Sequence, residues 1–305
     1  MKKRFAIAGL LAAIVCVIQS CSHKDLCYDH DHVVDFEIKF DWSKAPDAAP
    51  NTMVVHFFTP EGHHYRRYEF SSQEGGSVKM EAGTYKLLFH NGEMENVGES
   101  GYRYDEYALT TSPILLLSPI GRAFDAPRPE DSKDEPVRSA PETVWAGASD
   151  DIEIKPLSGD QSVTLYPSMV TSVYTVEIRD VKNMTNDIDI SGAITGMAEC
   201  YSIGAGEPFG QAVTLPLSLE RPDASTLFVR FTSFGHCPKE VKRHTFTVYT
   251  SNKVYKHFDI TDQMHEAADP NNIKILLEGL DLPADGLKPS VEEWGEVIDK
   301  EIDMN

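Results

Sequence analysis

The chain has 305 residues, and 48 acidic against 28 basic side chains give a formal net charge of -20. A surface this acidic repels nucleic acid and anionic headgroups, so nucleic-acid binding is excluded as a function class. The length suffices for two domains that each bury a core, and five cysteines are too few for a disulfide-built scaffold.

The first element in chain order is a leader. Met1 to Arg4 carries three positive charges, and Phe5 to Ile18 is an apolar run that ends in Gln19, Ser20 and Cys21. The run is shorter than the roughly 20 apolar residues of a membrane-spanning helix, so residues 1–20 read as a secretory signal peptide. Its ending, Ile18 to Cys21 (IQSC), has the form of a bacterial lipobox, which makes Cys21 the first mature residue and the site of lipid attachment. Acyl chains such as palmitate contribute about 0.8 kcal/mol per buried methylene, enough for two or three of them to hold the chain to a membrane. Loss of Lys2, Lys3 and Arg4 then takes the net charge from -20 to -23.

Residues 21–31 read as a tether. If extended, His30 and His32 would share a side and could hold a metal with Cys27 or Asp25. The stretch starts at the lipid, however, and has no second ligand cluster at a zinc spacing. No metal and no other cofactor is therefore expected.

Strands follow. Val34 to Trp42 alternates apolar and polar residues, which places Val34, Phe36, Ile38, Phe40 and Trp42 on one face. Thr52 to Phe58 and Tyr65 to Phe70 flank the turn Thr59 to Gly62 and predict a hairpin. Val78 to Met80 and Gly83 to His90 predict two more strands. Pro119 to Pro141 carries five prolines and reads as a surface excursion. Val144 to Ala146 and Asp151 to Lys155 return to the first sheet. Ser162 to Tyr166, Val173 to Val181, Ile190 to Met197, Leu227 to Phe231, His244 to Thr250, Lys253 to Phe258 and Asn272 to Leu277 furnish a second strand-rich half. In the tail, Val291, Trp294, Val297 and Ile298 fit either a short helix or an edge strand, with Trp294 as the docking residue.

This pattern predicts an all-β protein of two tandem antiparallel β-sandwich domains, at residues 32–158 and 159–283, followed by a tail at 284–305. Catalytic signatures fail on inspection. His265 to Asp269 (HEAAD) lacks the second histidine of a zinc-protease helix. Asp187 to Gly192 starts like a calcium loop, but Ala198 stands where the bidentate glutamate belongs. No nucleophile elbow or phosphate loop is present. No catalytic residue is assigned, and the chain is not expected to be an enzyme.

Two aromatic clusters are candidate interaction surfaces. One is Tyr65, Arg66 and Arg67 at the predicted hairpin, residue types that carry binding energy in interfaces. The other is Tyr102, Tyr104 and Tyr107, which could stack on a sugar or a partner. Outside the cytoplasm, Cys200 and Cys237 are the expected disulfide pair, at the ends of neighbouring strands.

The chain resembles a family of Bacteroides-type lipoproteins that carry a domain of unknown function. The resemblance rests on the lipobox, His23 to His32 (HKDLCYDHDH), Phe40 to Ala48 (FDWSKAPDA), Gly83 to Tyr85 (GTY) and Asn91 to Asn96 (NGEMEN). Phe258 to Gln263 (FDITDQ) and Leu280 to Pro283 (LDLP) are similar to the closing strands of fimbrillin-like anchor and accessory subunits. The resemblance covers most of residues 21–283. It implies two transthyretin-like sandwiches on a lipid anchor at the outer membrane, with the surface or periplasmic face left open, and it carries over no catalytic residue. The expected function is adhesive or structural, as an anchor or accessory component of a fimbria-like assembly or a surface protein with other protein partners. The competing expectation is a glycan or small-ligand binding lipoprotein for nutrient uptake, with Tyr102, Tyr104 and Tyr107 or the tryptophans lining a groove.

Overall fold

Strand β1 (Val33–Phe40) buries Phe36, Ile38 and Phe40 and exposes the residues between them, as its alternation predicts. Its chain then turns through Trp42–Lys44, capped by Asp41, whose carboxylate accepts from the Ser43 N–H at 2.8 Å. The structure, a computed structural model, describes residues 33–114, 126–156, 159–238, 240–282 and 294–297. The leader, Cys21 and the tether with Cys27, His30 and His32 lie outside the described residues, as does the expected boundary at 158.

The expected hairpin forms from β2 (Met53–Phe58) and β3 (His64–Phe70), and β4 (Gly75–Glu81) and β5 (Gly83–Asn91) follow. Next come β6 (Val97–Ser100), β7 (Ala108–Thr111), β8 (Trp145–Ile154), β9 (Gln161–Leu165) and β10 (Ser168–Met169). A three-stranded sheet, β4-β1-β9, faces a five-stranded sheet, β10-β8-β5-β2-β3. Phe36, Ile38, Met53, Val55, Phe57, Leu87 and Phe89 fill the core between them. Every residue of β2 is buried, because its other face also packs: Phe58, Leu88 and Ala146 join Leu109, Ala198 and Phe234 in a second cluster. One extra residue in β8, opposite the step from Tyr85 to Leu87, switches the face that its side chains present.

The second half contains β11 (Ser172–Lys182), β12 (Ile190–Ser202), β13 (Glu207–Ser218), β14 (Glu220–Asp223), β15 (Thr226–Ser233), β16 (Thr245–Thr250), β17 (Val254–Asp259), one helical turn α1 (Thr261–His265) and β18 (Asn272–Asp281). The sheet β14-β15-β11-β18 packs on the sheet that contains β12, β13 and β16, around Tyr174, Val176, Ile194, Val213, Phe246 and Ile275. Most pairings are antiparallel, but β1–β9 and β11–β18 are parallel. The described part of the tail, residues 294–297, contains β19 (Gly295–Glu296), an edge strand parallel to β17 whose neighbour Trp294 meets the Tyr249 ring edge-on at 5.7 Å.

Three features depart from the sequence reading. The sequence reading places Ser162 to Tyr166 in the second half, but β9 pairs with β1 and β10 with β8. Conversely, β6 and β7 extend the second sandwich, since Thr110 pairs with Cys200 of β12. The described part of the proline-rich excursion is docked rather than free, because Glu135 is buried and accepts hydrogen bonds from Gly196 N (3.2 Å) and Thr214 Oγ1 (2.8 Å). An ion pair with Lys242 at 3.3 Å offsets the cost of burying that carboxylate.

Candidate functional site

The first aromatic cluster lies on β3, the edge strand of the five-stranded sheet. Tyr65 packs on Tyr85 with ring centroids 5.2 Å apart and under the Arg66 guanidinium at 5.4 Å. Burial first, and then Glu81, raises the pKa of the Tyr65 hydroxyl, which keeps it neutral. Arg66 reaches the Lys79 carbonyl, which also accepts from the Tyr68 hydroxyl at 2.5 Å. Arg67 pairs with Glu69 at 2.9 Å and with Glu99 at 3.7 Å. Arg66 is therefore bridged to β4 of the facing sheet, and Arg67 to its own strand and to the β6–β7 hairpin.

The three tyrosines of the second cluster do not form one surface. Tyr102 is 89% exposed and Tyr107 only 3%. Tyr104, between them, donates its hydroxyl to Asp150 at 2.7 Å beneath the Lys86 ammonium. The segment is pinned to the β2–β3 turn by Tyr104 N–H to the Gly62 carbonyl (2.9 Å) and by Arg103 to the Glu61 carbonyl (3.0 Å). That docking turns Tyr107 inward against Phe58 and His56, so the expected place of Tyr107 in a binding surface is corrected to a place in the interior.

Around Tyr107 the sheets bring together residues that are distant in sequence. His90 Nδ1 faces the Asn91 carbonyl at 2.8 Å, which requires a proton on Nδ1 and leaves Nε2 as an acceptor. The Tyr107 hydroxyl, 3.1 Å away, donates to that nitrogen. His56 Nε2, 2.9 Å from the same hydroxyl, must then donate to it, and His56 Nδ1 accepts from His64 Nε2 at 3.2 Å. Donors and acceptors alternate from the surface at His64 inward to Asn91. Burial lowers the pKa of both inner histidines, that of His56 to about 3 with help from His90, His64 and Arg67, so both rings are neutral at ordinary pH.

The sequence profile of the family Domain of unknown function (DUF5119) matches residues 20–218. The chain belongs to the DUF5119 family. This DUF5119 chain is also similar to a protein of Bacteroides ovatus provisionally named fimbrium anchoring subunit Fim4B, 22% identical over 242 residues, which span 79% of this chain and 67% of the relative. Its fold matches the crystal structure of a protein provisionally described as an adhesin from Bacteroides ovatus. There the TM-score is 0.62 at 17% identity, over 87% of this chain and 98% of the other. It also matches the fimbrial anchor protein Mfa2 from Porphyromonas gingivalis, with a TM-score of 0.50 at 14% identity over 81% and 90% of the two chains.

The DUF5119 chain does not bring its two expected disulfide partners together. Cys200 and Cys237 are free thiols. Met197 of β12 lies opposite His236, and Cys237 N–H donates to the Gly196 carbonyl at 2.9 Å, so the register runs Cys237 past residue 196, four places from Cys200. At about 3.3 Å per residue the offset is roughly 13 Å, beyond the 7 Å Cα limit for a disulfide. Burial pushes the pKa of both thiols up, which makes them poor nucleophiles. The sequence reading missed His56, His90, Glu99 and the place of Tyr107 among them; His56 inside an otherwise apolar strand was the one local sign.

Proposed function

We propose that this chain is a lipid-anchored subunit of a fimbria-like surface assembly, fixed to the outer membrane through Cys21 and acting as an anchor or accessory component. The observation that carries the reading is the similarity, along most of its length, to a protein provisionally named as a fimbrium anchoring subunit. The fold shared with a fimbrial anchor and with a protein described as an adhesin supports it, and a non-enzymatic role agrees with such relatives.

The chain engages its partner by adding a strand at a sheet edge, where main-chain hydrogen bonds supply affinity and alternate side chains supply specificity. The start of β13 offers such an edge. Among the described residues β13 pairs along its length only with β12, and Phe209 stands exposed there. Its far end is bridged at Thr214 by Val137. The edge of β18 is less accessible, because the Gln263 amide bonds both the N–H and the carbonyl of Leu276.

Isolation of the detergent-solubilised chain from cells that build fimbriae tests this reading. The fimbrial shaft subunit should co-purify, and Phe209→Arg should reduce its yield while the chain stays folded. Recovery of the chain without any fimbrial subunit would contradict the proposal. The glycan reading needs Tyr102, Tyr104 and Tyr107 or the tryptophans along one groove. Tyr107 is interior, and Trp42 and Trp145 meet edge-on at 6.5 Å, half-buried, so no observation favours it.

A further inference from the structure

Four polar side chains converge where the first sandwich meets the β6–β7 hairpin. One Glu99 carboxylate oxygen lies 3.5 Å from His56 Nε2 and the other 3.6 Å from His90 Nε2. The Tyr107 hydroxyl is 2.9 Å from the first nitrogen and 3.1 Å from the second. The ligand atoms of His56, His90 and Glu99 all fall within 4.8 Å of one another. Zinc bonds of about 2.0–2.1 Å in a tetrahedron set ligand atoms roughly 3.3 Å apart. The separations of 2.9 and 3.1 Å to the Tyr107 hydroxyl and of 3.5 and 3.6 Å to the two Glu99 oxygens lie on either side of that edge, and the remaining separations stay within 4.8 Å, so small side-chain shifts close the tetrahedron.

We infer that this cluster is a site for one divalent transition-metal ion of the zinc type, held by His56 Nε2, His90 Nε2 and a Glu99 oxygen, with the Tyr107 hydroxyl at the fourth position. Groups behind the ligands are already arranged for it. The Asn91 carbonyl holds the His90 Nδ1 proton and so directs the Nε2 lone pair into the cluster, the backing that metal-bound histidines commonly have. On His56 the proton moves from Nε2 to Nδ1, where His64 Nε2 accepts it in place of donating. The Tyr107 proton turns from His90 to the Glu99 oxygen that the metal leaves free. The proton count is unchanged, and each group keeps a partner.

Two imidazoles with one carboxylate favour zinc, copper, nickel or iron over calcium and magnesium, which prefer all-oxygen shells. Arg67 is the opposing charge, 3.7 Å from Glu99. It is exposed and also paired with Glu69, so it can release Glu99 without losing every partner. The expectation that no metal binds rested on ligand spacings along the chain, whereas this set joins residues 56, 90, 99 and 107 through folding alone. An ion here ties β2 and β5 of the first sandwich to the hairpin whose β7 pairs with β12 of the second.

The test uses the full chain, purified in detergent, stripped with chelator and titrated with zinc sulfate. One zinc ion per chain should bind and raise the unfolding temperature, and calcium and magnesium salts should do neither. Cobalt(II) in the same site should give the visible absorption of a tetrahedral ion. Glu99 is a third exposed, so Glu99→Gln should fold as wild type. It should weaken zinc binding by more than about tenfold, the low end for loss of even a supporting group. Absence of zinc uptake by the stripped wild type would overturn the inference. So would equal uptake by wild type and Glu99→Gln, as binding to tether residues His30 and His32 would produce.

Discussion

His236, His244 and His265 meet ring to ring in the second sandwich, with centroids 4.7 to 5.2 Å apart. The Tyr174 hydroxyl contacts His236 Nδ1 at 2.9 Å, and the Thr195 and Cys237 carbonyls face the two nitrogens of His244 at 3.1 Å. Burial, followed by the neighbouring rings of His244 and His265, holds the pKa of His236 down at about 4, and burial lowers that of His244. An unfolded chain takes up the His236 proton as pH falls through about 6.5, while the folded chain resists until about 4. Stability is therefore full above about pH 6.5 and is lost progressively as pH falls toward 4. Denaturant titrations across that window should show His236→Gln reducing the pH-dependent loss by on the order of 1 kcal/mol, a figure discounted for the partial exposure of the ring. Parallel pH profiles for mutant and wild type would show that His236 does not couple protonation to folding.

At the level of elements, the β1–β4 pairing depends on one glycine. Gly75 sits opposite Lys39 with φ of +99°, and a β-carbon placed there would lie 2.1 Å from the Ile38 carbonyl oxygen. Neither strand can yield without breaking the ladder that holds Ile38 in the core. Gly75→Ala should cost about 2–4 kcal/mol, read as a lower urea midpoint at unchanged slope. An unshifted midpoint would mean that the β1–β4 end contributes nothing to the cooperative fold.

The same elements show what the sequence discloses. β1 is legible because one of its faces is wet, so its period of two survives in the residues. β2 is buried on both faces, and its run of apolar residues is silent about which way His56 points. β13 is absent from the sequence reading, and its Pro208, Gly210 and Pro216 are uncommon inside strands, yet an edge strand tolerates prolines whose missing N–H would face outward. β9 is legible as a strand but not as a member of the first half, since its parallel partner lies more than a hundred residues back and nothing local encodes that pairing. The histidine and tyrosine cluster was hidden for the same reason, as His56 and Tyr107 are 51 residues apart in sequence.

At the scale of the whole molecule, the two sandwiches share structure. Leu109, Ala198 and Phe234 pack against Phe58, Leu88 and Ala146, and β7 carries the first half of the chain into the sheet of the second. A force applied to one sandwich is thus passed to the other through a buried core and paired strands. That arrangement suits a subunit held by lipid at one point and pulled by an assembly at another. Among the described residues no helix is long and apolar enough to cross a membrane, and in the proposed account attachment falls to Cys21.

Replacement of Cys21 by alanine in a bacterium that assembles fimbriae, followed by quantification of fimbrial protein on cells and in the medium, tests the central claim most directly. The account predicts that the mutant chain leaves the membrane fraction or persists as an unprocessed precursor, and that fimbriae are shed into the medium. Fimbriae retained on the cell at the wild-type level, with Cys21→Ala still matured and membrane-bound, would contradict it.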